Sequence, residues 1–202
     1  MNNTPNPPQL PATTLVELLR YRAEHQKDKT AYIFLVDGEK QEEKLTYGQL
    51  DKQAKAIAAK LQKKYSPGER AILLYPPGLE FISGFFGCLY AGIIAVPVYP
   101  PDPSNMKKSM DKLKGIISNC EAQIALTIRF VMDLGLLDTD PALKQMEWLA
   151  SDTLEQNLAE NWQQPEIKPE IKPEIKSADL ACLQYTPNGH KLGFYISAFP
   201  QN

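Results

Sequence analysis

The sequence predicts an α/β fold in which helices flank a sheet that contains parallel strands. Short apolar segments, among them "RAILLY", "IIAVPV" and "QIALT", alternate with longer segments whose apolar residues recur at helical spacing. Capping signals and Pro-Gly or Gly stops separate the segments. Strands that alternate with helices of this length are typical of βαβ units, in which ligands bind beyond the carboxyl ends of the strands.

The first third of the chain predicts two capped helices with a hairpin between them. The first helix runs from Leu15 to about His25, and the second follows "EKLT" and ends near Pro67-Gly68. "TAYIFLV" and "EKLT" are predicted as paired strands because the Asp37-Gly38 between them is typical of a hairpin turn. Each helix begins with a capping box, the residue pairs being Thr14 with Glu17 and Thr46 with Gln49.

The uncharged run over residues 81–99, "FISGFFGCLYAGIIAVPVY", is about as long as a membrane span. Its character changes at Gly92, however. Aromatic and leucine residues at helical spacing come before that glycine, and β-branched residues broken by Pro97 come after it. We therefore interpret the run as a buried helix, a glycine stop and a buried strand.

The next segments continue the alternation of predicted strands and helices, and the pattern then becomes less regular. In "YPPDPSN", Ser104 or Asn105 is predicted to cap a helix whose stripe includes Met110 and Leu113. After the strand "QIALT", "EWLAS" is predicted as a strand and "DTLEQNLAENW" as a helix. A strand is expected again near 180–185, in "LACLQY".

The chain is predicted to contain one globular unit with less ordered ends. Residues 1–12 are rich in proline and asparagine and are expected to form a disordered lead-in to a subdomain over 13–162. Residues 163–177 contain three PEIK repeats, whose prolines favour a semi-extended linker over a helix, a central strand or a proline-rich docking site. Residues 178–202 are predicted as a strand and a divergent tail. We expect the chain to be mobile from about 163 and 187–202 to lie outside the sheet.

Composition excludes several classes of function. The 22 basic and 24 acidic residues are spread along the chain, which gives no electrostatic footprint for nucleic acid. The three cysteines are too few for a disulfide framework and show no metal-ligand spacing, so they indicate buried thiols of a cytoplasmic protein. The N-terminus has no apolar signal segment. His25, at a helix end, and His190, in the tail, have no partner that suggests catalysis.

Three segments carry a family resemblance. "LTYGQLDKQAKAIAAKLQ", "GERAILLYPPGLEFISGFFGCLYAGIIAVPVYPPDPSN" and "LACLQYT" resemble, in order and spacing, the N-terminal part of the fatty acyl-AMP ligases, a branch of the adenylate-forming superfamily that includes acyl-CoA synthetases. The resemblance extends from about residue 13 to Thr186. It implies the N-terminal subdomain of that fold and condensation of a fatty acid with ATP, with Mg²⁺ as cofactor. The acyl group would then pass to an acyl carrier protein or a polyketide or nonribosomal synthetase.

The resemblance implies a phosphate-binding loop after the strand that ends in "LQYT". In the family this loop is rich in Ser, Thr and Gly and ends with a lysine and a glycine, so that backbone N–H groups reach the phosphates. Only Tyr185 and Thr186 match, and "PNGHKLGF" comes next. We therefore expect Tyr185 and Thr186 to be weak nucleotide contacts, no catalytic or metal-binding residue in the chain, and neither ATP nor Mg²⁺ bound by it.

Two functions are consistent with these observations. The chain is the opening part of a fatty acyl-AMP ligase, truncated and inactive on its own, or it is a free-standing interaction module. Such a module would bind a carrier protein or a complete ligase through a sheet edge or the apolar "GFFGCLY" surface. A dinucleotide-binding domain is disfavoured because no G-x-G-x-x-G follows the first strand.

Overall fold

The computed structural model describes residues 12–135, 140–165, 180–185 and 191–195. The first helix, α1, spans Leu15–His25 and has the predicted capping box of Thr14 and Glu17. The second, α2, spans Tyr47–Gln62 and has the predicted capping box of Thr46 and Gln49. In each box the threonine hydroxyl accepts a backbone N–H and the longer side chain accepts the N–H of the threonine.

Strands β1 (Thr30–Leu35) and β2 (Glu42–Thr46) form the predicted antiparallel hairpin. Asp37 Oδ1 accepts the backbone N–H groups of Glu39, Lys40 and Gln41 at 2.8–2.9 Å, which lowers the pKa of this carboxyl. Gly38 has a φ of +78°, a left-handed conformation that glycine adopts without strain. The Asp37 bonds and the Gly38 conformation therefore stabilise the hairpin turn that the Asp-Gly pair predicts.

A six-stranded sheet forms the centre of the fold, in the order β6-β5-β3-β4-β7-β8. Five strands run parallel, as predicted for an α/β fold, and β8 alone pairs antiparallel. The strands are β3 (Arg70–Leu74), β4 (Ile94–Val98), β5 (Ile124–Thr127), β6 (Glu147–Ala150), β7 (Leu180–Tyr185) and β8 (Lys191–Tyr195). The strands predicted near 70–75, 93–98, 123–127 and 180–185 are thus confirmed.

Two hydrophobic layers cover the two faces of the sheet. On one face α1, α2 and α3 (Leu79–Ala91) pack against alternate strand residues, including Ala71 and Leu73. On the other face α4 (Met106–Cys120), α5 (Arg129–Asp133) and α6 (Pro141–Gln145) pack against Ile72 and Leu74. The central strand β3 is therefore buried on both faces, which accounts for its continuous apolar sequence.

The apolar run over 81–99 divides where the sequence predicts. Gly92 follows α3 with a φ of +73°, and β4 begins two residues later. The Gly92 and Ile93 N–H groups donate to carbonyls of the last turn of α3, so the glycine ends the helix. Of the helices in the part of the chain that the structure describes, none is long and apolar enough to span a membrane.

Two local predictions need correction. Asn105 is the N-cap residue of α4, as one of the two predicted candidates, but its side chain makes no capping bond. Asp102 caps the short 3₁₀ helix over Pro103–Asn105 that precedes α4 and begins with Pro103. The segment predicted as a helix after β6 forms two 3₁₀ helices, Ser151–Thr153 and Gln156–Asn161. Its Asp, Asn and Thr residues have low helix propensity, and a helix nucleus is costly in so short a segment.

The largest correction concerns the end of the chain. The sequence predicts residues 187–202 outside the sheet, but β8 pairs with β7. The paired residues run from Lys191 opposite Tyr185 to Tyr195 opposite Leu180. An unpaired outer edge of β7 would leave backbone N–H and C=O groups without partners, and "KLGFY" has the β propensity to cover it. The chain is also docked just beyond residue 163, since Gln163 and Gln164 bond to α2 and α1. The rest of the predicted linker lies outside the described residues.

Candidate functional site

The carboxyl ends of β3, β5 and β6 meet at one edge of the sheet, where three hydroxyl groups form a hydrogen-bonded cluster. The buried Thr127 Oγ1 donates to the Leu74 carbonyl at 2.6 Å. Ser151 Oγ lies 3.2 Å from the Thr127 carbonyl, to which it donates, and 2.7 Å from Tyr75 Oη. Because Ser151 has a single hydroxyl hydrogen, Tyr75 is the donor in their shared bond.

Tyr75 is held in place from two sides. Tyr75 is 5% exposed, and burial raises the pKa of its phenol, so the hydroxyl stays a proton donor. A Cβ atom at Gly84 of α3 would lie 2.5 Å from Tyr75 Oη, which means that only glycine leaves room for the ring. The hydroxyl cluster therefore links the carboxyl ends of three strands by hydrogen bonds. Ligands of α/β proteins bind at this end of the sheet.

A cleft of about 470 Å³ opens beside this cluster, between β2, the first turns of α2 and α3, and the chain after β6. Leu45, Ile57, Leu79 and Leu154 supply its apolar lining. The buried Ser83 hydroxyl donates to Gln53 Oε1 at 2.6 Å within it. The remaining lining residues are mostly polar or charged: Glu43, Lys44, Gln49, Glu80, Ser151, Asp152 and Gln156.

The structure places Tyr185, one of the two residues predicted to contact nucleotide, at the end of β7. Its hydroxyl donates to Asn119 Oδ1 at 2.6 Å, and its ring packs against the layer of α4. Burial raises the pKa of this phenol, Cys120 adds to the effect and Arg70 opposes it. The hydroxyl is thus bound to α4. Thr186, the other predicted contact, lies outside the described residues, as does His190.

The described residues offer few groups for covalent or metal chemistry. None of their His, Cys, Asp and Glu side chains form a cluster of three that could hold a metal ion. The three thiols are buried, and burial raises the pKa of Cys182 to about 11 and that of Cys88 further. The Cys88 and Cys182 thiols are therefore protonated at neutral pH and weak nucleophiles. His25 Nδ1 lies 2.9 Å from the Tyr21 carbonyl in the last turn of α1.

Sequence reasoning missed the cluster of Tyr75, Thr127 and Ser151. The available signal was a hydroxyl residue at or just after the end of three apolar segments, "RAILLY", "QIALT" and "EWLAS". The signal becomes informative only when the strand order is known, because β6, β5 and β3 are neighbours in the sheet but not in the sequence.

Comparison with known proteins gives one family. The family described as AMP-binding enzyme matches residues 19–187. Medium-chain-fatty-acid–(acyl-carrier-protein) ligase JamA of Moorena producens is 43% identical over 178 residues, which are 86% of this chain and 28% of JamA. Long-chain-fatty-acid–AMP ligase FadD32 of Mycolicibacterium smegmatis is 31% identical over 173 residues, 82% of this chain and 25% of FadD32.

A solved structure shows the same likeness in three dimensions. The crystal structure of a fatty acyl-adenylate ligase from L. pneumophila, in complex with acyl adenylate and pyrophosphate, aligns with a TM-score of 0.76 and 38% identity. The alignment covers 93% of this chain and 31% of that protein. The chain therefore spans about a quarter to a third of the length of these relatives.

Proposed function

Because the chain belongs to the AMP-binding enzyme family and is related within it to the fatty acyl-AMP ligases, we propose that it forms the N-terminal part of such a ligase. The reaction would join a fatty acid to ATP, giving an acyl-adenylate and pyrophosphate. The acyl group would then pass to an acyl carrier protein, the acceptor that the name of JamA gives for that relative. The observation that carries the proposal is the alignment of nearly the whole chain with a ligase that holds both products.

We propose that a polypeptide of these 202 residues does not catalyse the reaction on its own. Three facts about phosphate and Mg²⁺ binding support this part of the proposal. The sequence directly after Thr186, "PNGHKLGF", has no cluster of Ser, Thr and Gly residues like that of the family's phosphate loop. The Tyr185 hydroxyl is bound to Asn119, and the described residues contain no group of carboxylates suited to Mg²⁺. These observations support the proposal that the described residues do not hold ATP and Mg²⁺, and no step of the reaction is assigned to them.

Pyrophosphate release tests this part of the proposal. The purified 202-residue protein is incubated with ATP, Mg²⁺ and fatty acids of several chain lengths, with purified JamA as the positive control. We expect no fatty-acid-dependent release from the 202 residues. Release that follows the protein through purification would show that the tail of this chain does bind the phosphates.

A hybrid enzyme tests the ligase proposal itself. Residues 13–185 replace the aligned residues of JamA, and the rest of JamA is kept. If the chain is a ligase N-terminal part, the hybrid releases pyrophosphate when a medium-chain fatty acid is added. A hybrid that unfolds cooperatively like JamA but gives no acyl-adenylate would contradict the proposal.

The interaction-module alternative gains no support from the surfaces that it would use. Within "GFFGCLY", the residues Phe86, Cys88, Leu89 and Tyr90 are at most 8% exposed. The edge of β7 is paired with β8, which leaves β6 and β8 as the outer strands of the sheet. We retain as proposals a role in lipid biosynthesis and a cytoplasmic location. The predicted disordered lead-in over 1–12, subdomain over 13–162 and linker over 163–177 also remain proposals, except that Ala12 is buried and that Gln163 and Gln164 are docked on the helices.

A further inference from the structure

The chain between β6 and β7 has to cross the sheet. β6 lies at one edge, and β7 lies beyond β5, β3 and β4. Because neighbouring strands are about 4.8 Å apart, the four intervals amount to roughly 19 Å. The first part of this crossover, residues 151–165, lies against α1, α2 and α3, as the bonds of its last residues show.

Trp162 joins the crossover to the end of α3. Its indole Nε1 donates to the Tyr90 carbonyl at 3.0 Å, and the two rings lie 5.2 Å apart. Tyr90 is in the last turn of α3, where carbonyl groups have no partner within the helix. The indole N–H therefore supplies a hydrogen bond that the helix cannot make for itself.

The same ring lies beside a partly buried ion pair. Asp51 of α2 is 8% exposed and accepts both the Tyr90 hydroxyl and Lys55 Nζ at 2.7 Å. Lys55 Nζ also lies 5.6 Å from the centroid of the Trp162 ring, and the Arg20 guanidinium lies 5.4 Å from it. Cations at this distance from an indole are attracted to its face. Trp162 thus interacts with residues of all three helices, by a hydrogen bond to Tyr90 of α3 and through its ring face with Lys55 of α2 and Arg20 of α1.

The residues after Trp162 continue the docking. The Gln62 side chain donates to the Gln163 carbonyl at 2.7 Å and accepts its N–H at 3.4 Å, much as a neighbouring strand would. Arg20 donates to Gln164 Oε1 at 3.0 Å. Pro165, the first proline of the PEIK repeats, is buried. The chain therefore leaves the helical surface at a fixed point directly before the repeats.

β7 makes fewer ladder pairs with its parallel neighbour than the central strands make with each other. The parallel ladder joins β7 to β4 at the pair Cys182 and Ala95, whereas β3 is paired with β4 from Arg70 to Leu74. How often such a strand leaves the sheet therefore depends on the length of the segment that connects it to the rest of the fold. A fixed contact at residue 165 leaves 14 residues (166–179) before β7, in place of the 29 residues (151–179) that follow β6.

We propose that Trp162 is the anchor of this crossover and that it holds β7, with β8 behind it, in the sheet. Halving the length of a connecting segment favours its closure by about threefold, so loss of the anchor raises the open population of β7 by about that factor. The inference does not depend on the ligase activity, since it concerns the opening of two strands of this chain.

Amide hydrogen exchange of the 202-residue protein tests the anchor. In Trp162→Ala, exchange over 181–185 should accelerate about threefold or more, while exchange over 71–74 of β3 stays as in the unaltered protein. Trp162→Phe, which keeps a ring but loses the indole N–H, should give a smaller acceleration. It also provides the test if the alanine variant does not fold.

Trp148→Phe is the matched control. Trp148 Nε1 donates to the Leu143 carbonyl at 2.8 Å, so this variant loses the same kind of bond outside the crossover. It should leave exchange over 181–185 unchanged. The anchor would be refuted if the Trp162 variants released 156–164 without any change in β7, if β3 and β7 accelerated equally, or if Trp148→Phe had the same effect on β7.

Discussion

At the scale of single residues, the packing of α2 against α3 depends on a position without a side chain. A Cβ atom at Gly87 would lie 2.5 Å from Ile57 Cγ2 and 2.6 Å from Ile57 Cβ. Ile57 is itself buried in the helix–sheet layer. We predict that Gly87→Ala lowers the free energy of unfolding by about 1–3 kcal/mol, because overpacking forces the two helices apart. Urea denaturation measures the change.

Gly115→Ala is the control for this prediction. Gly115 also lies within a helix, α4, but a Cβ there would meet nothing within 4 Å. Alanine should therefore stabilise the protein by about 0.5–1 kcal/mol through helix propensity alone. If both alanine variants were equally stable, the close approach of Gly87 to Ile57 would not affect the free energy of unfolding.

Glu147 ties the edge strand β6 to the end of α2. Lys64 forms an ion pair with its carboxylate, and the Tyr65 hydroxyl donates to it at 2.9 Å. The bond from Lys64 is the main cause of a lowered Glu147 pKa, although partial burial opposes it. The stability that this carboxylate contributes is present above its unfolded-state pKa of about 4.3 and is lost as the pH falls through the lower folded value.

Glu147→Gln should therefore reduce the acid sensitivity of the fold. We predict that the drop in thermal midpoint between pH 6 and pH 3 is smaller in this variant than in the unaltered protein. Glu160→Gln, at an exposed position of a 3₁₀ helix, should leave the drop as it is. An unchanged drop in Glu147→Gln would mean that its ion pair is fully screened by solvent.

Residue-scale predictability from the sequence depends on how local the interaction is. The capping boxes of Thr14 and Thr46 and the glycine stop at Gly92 are predictable because their partners lie within four residues. The bond between Tyr75 and Ser151 joins residues 76 positions apart, and only the strand order brings them together. The hydrogen bond from the Tyr185 hydroxyl to Asn119 could not be predicted for the same reason.

At the scale of elements, β7 is part of the core. Ala181, Cys182 and Leu183 are at most 8% exposed, and Leu183 packs in the layer of α4. We predict that Leu183→Ala costs about 2–5 kcal/mol of stability, as for other buried leucines. The thermal midpoint should then fall by several degrees, given about 2–4 °C for each kcal/mol in a protein of this size. A midpoint that does not move would show that β7 is not docked in solution.

The sequence predicts β7 but not β8, for an identifiable reason. "PNGHKLGF" stands where the family has a phosphate loop. It has no hydroxyl residue and no cluster of glycines, which argues against that loop without indicating a strand. A strand needs only an open edge and residues that tolerate extended backbone, and β7 supplies that edge. The 3₁₀ segments after β6 are equally hard to predict, because docking on α2 and α3 decides their conformation.

At the scale of the whole molecule, the chain joins a ligase-like sheet to a segment that does not resemble a phosphate loop. The fold class can be predicted from segment order, because βαβ units admit few topologies. The family can be predicted because "YPPGLEF" and "AVPVYPP" resemble the fatty acyl-AMP ligase branch. The strand order is consistent with that expectation, and the alignment with a ligase structure confirms it. We expect the residues directly after β7 to decide whether the sheet can support the ligase reaction.

The most direct test of this expectation is a comparison of two hybrids of JamA that differ only after β7. One contains residues 13–185 of this chain, and the other contains residues 13–195, so that "TPNGHKLGFY" stands where JamA has its own residues. Fatty-acid-dependent pyrophosphate release is measured for both, after thermal unfolding has shown that both are folded. We predict activity in the first hybrid and a loss of at least about 100-fold in the second, the effect of removing one or more donors to a transition-state anion. Equal activity in the two hybrids would contradict the proposal that this segment cannot serve as a phosphate loop.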